Sequence, residues 1–186
     1  MNASVLLPIA DGTEELEAVT LIDVLRRAGV TVTVASVMPR KQIITARHIR
    51  LEADCLIDDC QQQTFDLIVL PGGIPGAEHL RDSAALLSLL KKQKLANKPI
   101  AAICAAPAVV LAHHGLLTTP ATAYPSFQSQ LPVALRNTSE AVVMADNCIT
   151  SQGPGTALPF ALALVELLCG KEKRQTIAKA MLVSDS

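Results

Sequence analysis

The chain opens with an apolar run, 4-SVLLPI-9, which breaks at Asp11 and Gly12 and gives way to Leu16, Val19 and Ile22 at helical spacing. A continuous apolar run followed by a period near 3.6 predicts a buried strand, a tight turn and an amphipathic helix. Gly29 follows Arg26 and Arg27, which suit the negative end of a helix, and 30-VTVTVAS-36 resumes as a β-branched strand. These segments read as a βαβ unit. After Pro39 the pattern loosens: 42-QIITARHIRLEAD-54 holds short strand-like pieces, while 55-CLIDDCQQQ-63 keeps no period and reads as an excursion with a turn. The apolar signal returns in 64-TFDLIVLPGG-73, a strand running into Pro71, Gly72 and Gly73, and a helix is predicted over 84–96. The segment 99-PIAAICAA-106 is a second buried strand meeting a sharp change, with a helix from Pro107 to His114 closed by Gly115. The strands 141-AVVMA-145 and 148-CITSQ-152 flank Asp146 and Asn147 as a hairpin, and helices over 156–170 and 171–183 follow. Pro159 falls in the first turn of the former, where it costs little. Continuous apolar strands alternating with amphipathic helices predict an α/β fold, a mostly parallel sheet covered on both faces. The 186 residues suit one domain spanning 1–186, without repeat or linker.

Composition narrows the classes. Half the residues are hydrophobic and 18% are charged, as in a compact protein, but there is no Trp, one Tyr and three Phe, so core volume must come from Leu, Val, Ile and Ala. Sixteen basic residues against seventeen acidic ones, with no basic tract, argue against specific nucleic-acid binding through phosphate neutralisation. The runs 100–112 and 157–169 are too short to span a bilayer and contain Pro107 and Glu166, so no membrane association is expected. The first residues lack a basic n-region, and five cysteines form no CxxC pair; both point to a cytoplasmic protein with reduced thiols.

Among candidate groups Cys104 is the most informative, because it stands where an apolar strand meets a helix that begins with small residues. Small neighbours are what a strained strand-to-helix elbow needs if its side chain must project, and a nearby helix N-terminus favours thiolate. This predicts a nucleophile or oxidation sensor with a depressed pKa; a small buried hydrophobe in an Ala-rich core is the plain alternative. In 71-PGG-73 the glycines let a backbone N–H face a ligand, which would form an oxyanion site beside Cys104, and ordinary turn chemistry explains them equally. No GxGxxG or GxxxxGK context accompanies them, so a nucleotide is disfavoured. In 14-EELE-17, Glu14 and Glu15 balance the helix dipole, whereas Glu17 falls near the apolar face, where desolvation would raise its pKa and let it shuttle a proton. His48, His79, His113 and His114 are dispersed without metal-ligand spacing, and no metal is expected. Cys148 and Cys169 read as core fillers; Cys55 and Cys60 border a polar excursion and show no particular catalytic or metal geometry.

Taken together, 12-GTEELEAV-19, 68-IVLPGG-73, 100-IAAICAAPAVVL-111 and 151-SQGPGTA-157 resemble the ThiJ/PfpI superfamily, in particular its bacterial YajL and human parkinsonism-associated deglycase branch. The resemblance runs from about residue 4 to 183. It implies a flavodoxin-like three-layer sandwich, usually a homodimer, without a cofactor. It further implies a reactive Cys104 partnered by a protonated Glu17, with Gly73 and Ala105 as backbone donors. Arg47, and Arg27 with it, would reach the dimer interface near the cysteine. The implied activity is a cysteine-dependent deglycase or cofactor-independent glyoxalase acting on methylglyoxal, glyoxal or their adducts on small molecules and proteins, releasing hydroxy acids. A redox-responsive chaperone or peroxide sensor using the same cysteine is the alternative. A third possibility, action on a thiazole phosphate, gains nothing from a chain without a phosphate loop. The chain departs from the pattern at Tyr124, where related members carry His; a neutral phenol cannot act as a general base at pH 7, which disfavours a Cys-His peptidase. Tyr124 is left to donate a hydrogen bond to substrate or to wall the pocket.

Overall fold

The apolar runs do become strands, and their alternation sorts side chains onto two faces. In the computed structural model, which describes residues 2–183, Val5, Leu7 and Ile9 of β1 (Ser4–Ile9) point to one side of the sheet and Leu6 to the other. On the first side lie α1 (Glu15–Arg27), α4 (Ala157–Cys169) and α5 (Lys171–Ala180), which bury Leu21, Val24, Phe160, Leu164 and Ile177 against it. On the second, α3 (Ala84–Leu95) contributes Leu86, Leu89 and Leu90. The sheet is therefore buried on both faces, the condition under which parallel strands read as unbroken apolar runs.

Among the described residues, β2 (Thr31–Ser36), β5 (Cys55–Leu56), β6 (Leu67–Leu70), β7 (Ile100–Ile103), β8 (Val142–Ala145) and β9 (Cys148–Ser151) join β1 in the order β5-β2-β1-β6-β7-β9-β8. All neighbours pair in parallel except β8, which forms an antiparallel hairpin with β9. Helices on both faces of this mostly parallel sheet make a flavodoxin-like sandwich. A separate hairpin, β3 (Gln42–Ile44) with β4 (Arg50–Glu52), accounts for the strand-like pieces after Pro39. Among the described residues no helix is long and apolar enough to cross a membrane.

Five local expectations change. Residues 55–63 contain strand β5, whose two residues pair with Ala35 and Ser36 of β2, followed by a 3-10 turn at Ile57–Cys60. A two-residue strand has no period to detect. A helix at Gly76–Asp82, α2, went unforeseen because Gly76 and the preceding Pro75 read as loop. The segment after Cys104 is π-helical over Pro107–Ala112, where an α-helix to His114 is predicted. The last helix ends at Ala180, and Cys169 is exposed, not a core filler.

Candidate active site

Three neighbouring strands, β1, β6 and β7, end on the same side of the sheet because they run parallel, and each hands the chain to a turn. The turn after β1 leads to Glu17 on α1, the turn after β6 is Pro71-Gly72-Gly73, and the turn after β7 carries Cys104. A ligand crevice at the carboxyl ends of such strands is the general expectation for open α/β sheets.

Cys104 has φ of 64°, left-handed backbone that a residue with a Cβ adopts only at a cost. The strain is held from both sides: the Cys104 N–H donates to Ser151 O at 3.0 Å and its carbonyl accepts from the Tyr124 N–H at 2.8 Å. Neighbouring Ala105 and Ala106 are buried, so the elbow has no room for larger residues there. Gly72 packs directly on the cysteine: a Cβ at position 72 would lie 2.6 Å from Cys104 Cβ and 3.0 Å from its Sγ. Gly73 has φ of 88° and turns its N–H toward the sulfur, as does Ala105.

Glu17 has no solvent exposure. One carboxyl oxygen, Oε2, accepts from the Gly72 N–H at 2.8 Å. Oε1 is buried without a well-formed hydrogen bond, while the Cys104 side chain faces the carboxyl closely enough to act on its ionisation. Burial pushes Glu17 up to about 7 against the opposing pull of the Gly72 N–H and of Cys104. Cys104 is pushed up to about 12, by burial first and the Glu17 charge second, with the Gly73 and Ala105 N–H groups pulling the other way. The depressed thiol pKa predicted from the helix N-terminus is thus corrected. Two buried acids face each other, and the backbone donors do not outweigh desolvation. The second cause vanishes when Glu17 holds a proton, so a protonated Glu17 makes the thiol easier to ionise.

Tyr124 is 43% exposed, with its backbone tied to Cys104 and its ring over Gly153, where a Cβ would lie 3.0 Å from the ring. Arg47 stands beside the start of α1, its N–H donating to Glu15 Oε2 at 3.2 Å and its exposed guanidinium bonding Ala46 O at 3.4 Å. Glu15, assigned from sequence to the helix dipole, is buried beneath that contact. Arg27 is not brought to the cysteine within the chain: it ion-pairs with Asp23 at 2.7 Å, ten residues and about 15 Å along α1 from Glu17. Sequence reasoning overlooked Gly72, which both supports Glu17 and makes room for Cys104, and Ser151, which anchors the elbow. The PGG and SQGPGTA segments carried the signal, but which of their residues mattered depended on contacts across the sheet.

Known proteins resemble this chain along most of its length. The chain is 48% identical over 180 residues to an Arabidopsis thaliana protein named DJ-1 homolog B, covering 96% of this chain but 41% of that one. It thus spans less than half the length of that relative. Over 181 residues it is 36% identical to a Caenorhabditis elegans protein named glutathione-independent glyoxalase DJR-1.2, covering 97% and 95% of the two chains. Among solved structures, oxidized Toxoplasma gondii DJ-1 superposes with a TM-score of 0.96 at 47% identity, covering 98% and 99%. With the model of the DJ-1/PfpI family matching residues 3–167 as well, the chain belongs to that family.

Proposed function

We propose that the protein is a cofactor-independent, cysteine-dependent enzyme that converts small reactive dicarbonyls, methylglyoxal and glyoxal, to hydroxy acids. The observation that carries this reading is the buried Glu17 carboxyl facing Cys104 Sγ, with the N–H groups of Gly73 and Ala105 turned toward the same sulfur. The likeness to a relative named a glyoxalase supports it.

In the reactive tautomer Glu17 is protonated and Cys104 is thiolate. Sγ bonds to the aldehyde carbon, the carbonyl π pair moves to oxygen, and the backbone donors at Gly73 and Ala105 stabilise that oxyanion. Glu17 supplies the proton, giving a hemithioacetal. The resulting carboxylate then removes the hydrogen of the sulfur-bearing carbon as a proton, its electron pair forming an enediolate. The hydroxyl proton passes to the neighbouring oxygen as Glu17 returns its proton to the adjacent carbon, which leaves a thioester beside a new hydroxyl. Water cleaves the thioester, releasing the 2-hydroxy acid and restoring the thiol. Tyr124, exposed and joined through its N–H to Cys104 O, is in this reading a hydrogen-bond donor to the substrate or a wall beside it. The branch, the deglycation of adducts and the cytoplasmic setting are part of the same proposal.

The protein works as a homodimer in this reading. Leu16 and Val19 share a face of α1 and are about half exposed, as are Ile44 and Ile49 on the adjoining hairpin. The hairpin is tied to the α1 turn by Gly12 N–H to Ile44 O and Ala46 N–H to Thr13 O. An exposed apolar surface of this kind marks an interface, and a second copy is the partner.

The test is a stopped assay of wild type and Cys104→Ser that follows free methylglyoxal and a preformed adduct separately. Loss of methylglyoxal conversion in a folded Cys104→Ser protein is expected, and full turnover in that variant refutes the mechanism. Adduct loss no faster than spontaneous release restricts the activity to free dicarbonyl. Selective sulfinate at Cys104 with negligible turnover in the wild type favours the peroxide-sensor reading over the enzyme.

A further inference from the structure

Cys55 and Cys60 are separated by a polar stretch with no motif, yet the fold places their sulfurs 3.6 Å apart. The position is built from several directions. Cys55 is held in β5 by its pairing with Ala35 of β2. Cys60 closes the 3-10 turn Ile57–Cys60, whose entry is fastened by the Leu56 N–H donating to Asp59 Oδ2 at 3.0 Å. The turn is tied in place by Gln61, whose Nε2 donates to Ala85 O in α3 at 3.1 Å. Cys60 is fully buried among Leu6, Ala35, Ile57 and Phe65, whereas Cys55 is partly open to solvent.

We propose that Cys55 and Cys60 are a redox-active dithiol that closes to an intramolecular disulfide when the protein meets a hydroperoxide. A disulfide bond is about 2.05 Å long, so the sulfurs need approach by only about 1.5 Å, a distance that side-chain rotation supplies without unpairing β5. Exposure sets the order of events. Cys55, as thiolate, attacks the near oxygen of the peroxide; the O–O bond breaks, alkoxide or hydroxide leaves, and Cys55 becomes a sulfenic acid. Cys60 Sγ then bonds to the Cys55 sulfur, the S–O bond breaks, and the hydroxyl departs with the Cys60 proton as water. The balance is two thiols and one hydroperoxide giving one disulfide, one alcohol or water, and one further water. Two electrons pass from the sulfurs to the peroxide bond. Burial pushes the Cys60 thiol up to about 12, with the facing Cys55 adding to the rise, which keeps it protonated and reserves the first attack for Cys55.

This dithiol is distinct from the candidate active site. Strands β2, β1 and β6 separate β5 from β7, and four inter-strand spacings of about 4.8 Å put roughly 19 Å between them. Cys104 therefore cannot serve as partner to either sulfur, and the inference stands whether or not Cys104 is an enzyme nucleophile.

The chain offers a direct readout, because the tryptic segment 51–81 contains Cys55 and Cys60 and no other cysteine. The reduced full-length protein is treated with increasing hydrogen peroxide, denatured, labelled with N-ethylmaleimide and digested. Segment 51–81 should lose both labels together, become about 2 Da lighter, and regain both labels after reduction with dithiothreitol. In Cys60→Ser, with a native circular dichroism spectrum, Cys55 should instead be trapped by dimedone as the sulfenic acid. Retention of both labels at a peroxide dose that oxidises Cys104 overturns the proposal. So does a disulfide that joins segments 51–81 of two chains, or a folded Cys60→Ser protein without a dimedone adduct at Cys55.

Discussion

Replacing Glu17 with Gln isolates the carboxyl's contribution to stability, because Gln keeps the size and the oxygen that accepts from the Gly72 N–H but cannot ionise. The wild-type carboxyl is raised from 4.5 to about 7 in the folded state, chiefly by burial. The native protein therefore holds this proton more tightly than the unfolded chain does. The stabilisation is complete below the unfolded value and is lost as pH rises through the folded value. At 1.36 kcal/mol per pKa unit the whole effect is about 3 kcal/mol. Urea unfolding of wild type and Glu17→Gln, followed by circular dichroism from pH 4.5 to 8, gives two stability curves whose difference removes the other titrating groups. That difference should move in favour of Gln by about 3 kcal/mol across the interval, most steeply between pH 5 and 7. The interval lies below the thiol's own titration, since Cys104 is pushed up to about 12. A difference that stays flat to within about 0.5 kcal/mol, the usual limit of additivity, would refute a buried carboxyl protonated by desolvation.

Other expectations follow from packing. Gly72→Ala places a methyl 2.6 Å from Cys104 Cβ and 3.0 Å from the Ala105 nitrogen, so thermal melting should show a loss of about 1–3 kcal/mol from overpacking. In the same variant the rate of Cys104 alkylation should change, because the sulfur or the PGG turn must move; wild-type melting and alkylation would contradict the close approach. Leu16→Glu or Val19→Glu puts a charge on the half-exposed apolar face of α1, and light scattering should then report a monomer where the wild type is a dimer. A wild type that is itself monomeric across micromolar concentrations would refute the proposed assembly.

The elements legible in the sequence are those whose signal is local. β1, β6 and β7 are unbroken apolar runs bounded by Gly or Pro, and α1 repeats apolar residues at helical spacing, although Leu16 and Val19 of that repeat stay half exposed while Leu21 and Val24 form the buried face. Cys104 stands out for the same reason, since only small residues lie between the strand and Pro107. Strand β5, in contrast, exists because β2 supplies partners across space, and nothing within its two residues announces it. Glu17 is recognisable as a carboxyl near an apolar face, but its oxygen partner is the Gly72 N–H, 55 residues away.

Sequence alone determined the layered α/β plan and the small set of residues around which chemistry could occur, because periodicity, turn chemistry and side-chain size act over a few neighbours. Only the tertiary structure decided how protons are shared between Glu17 and Cys104, since desolvation is a sum over everything packed around them and outweighed the nearby backbone donors. It also decided that position 72 must be glycine, that Arg27 lies away from the cysteine of its own chain, and that Cys55 and Cys60 face each other. Each of these is a distance between residues brought together by the sheet and its helices, and no local pattern encodes such a distance.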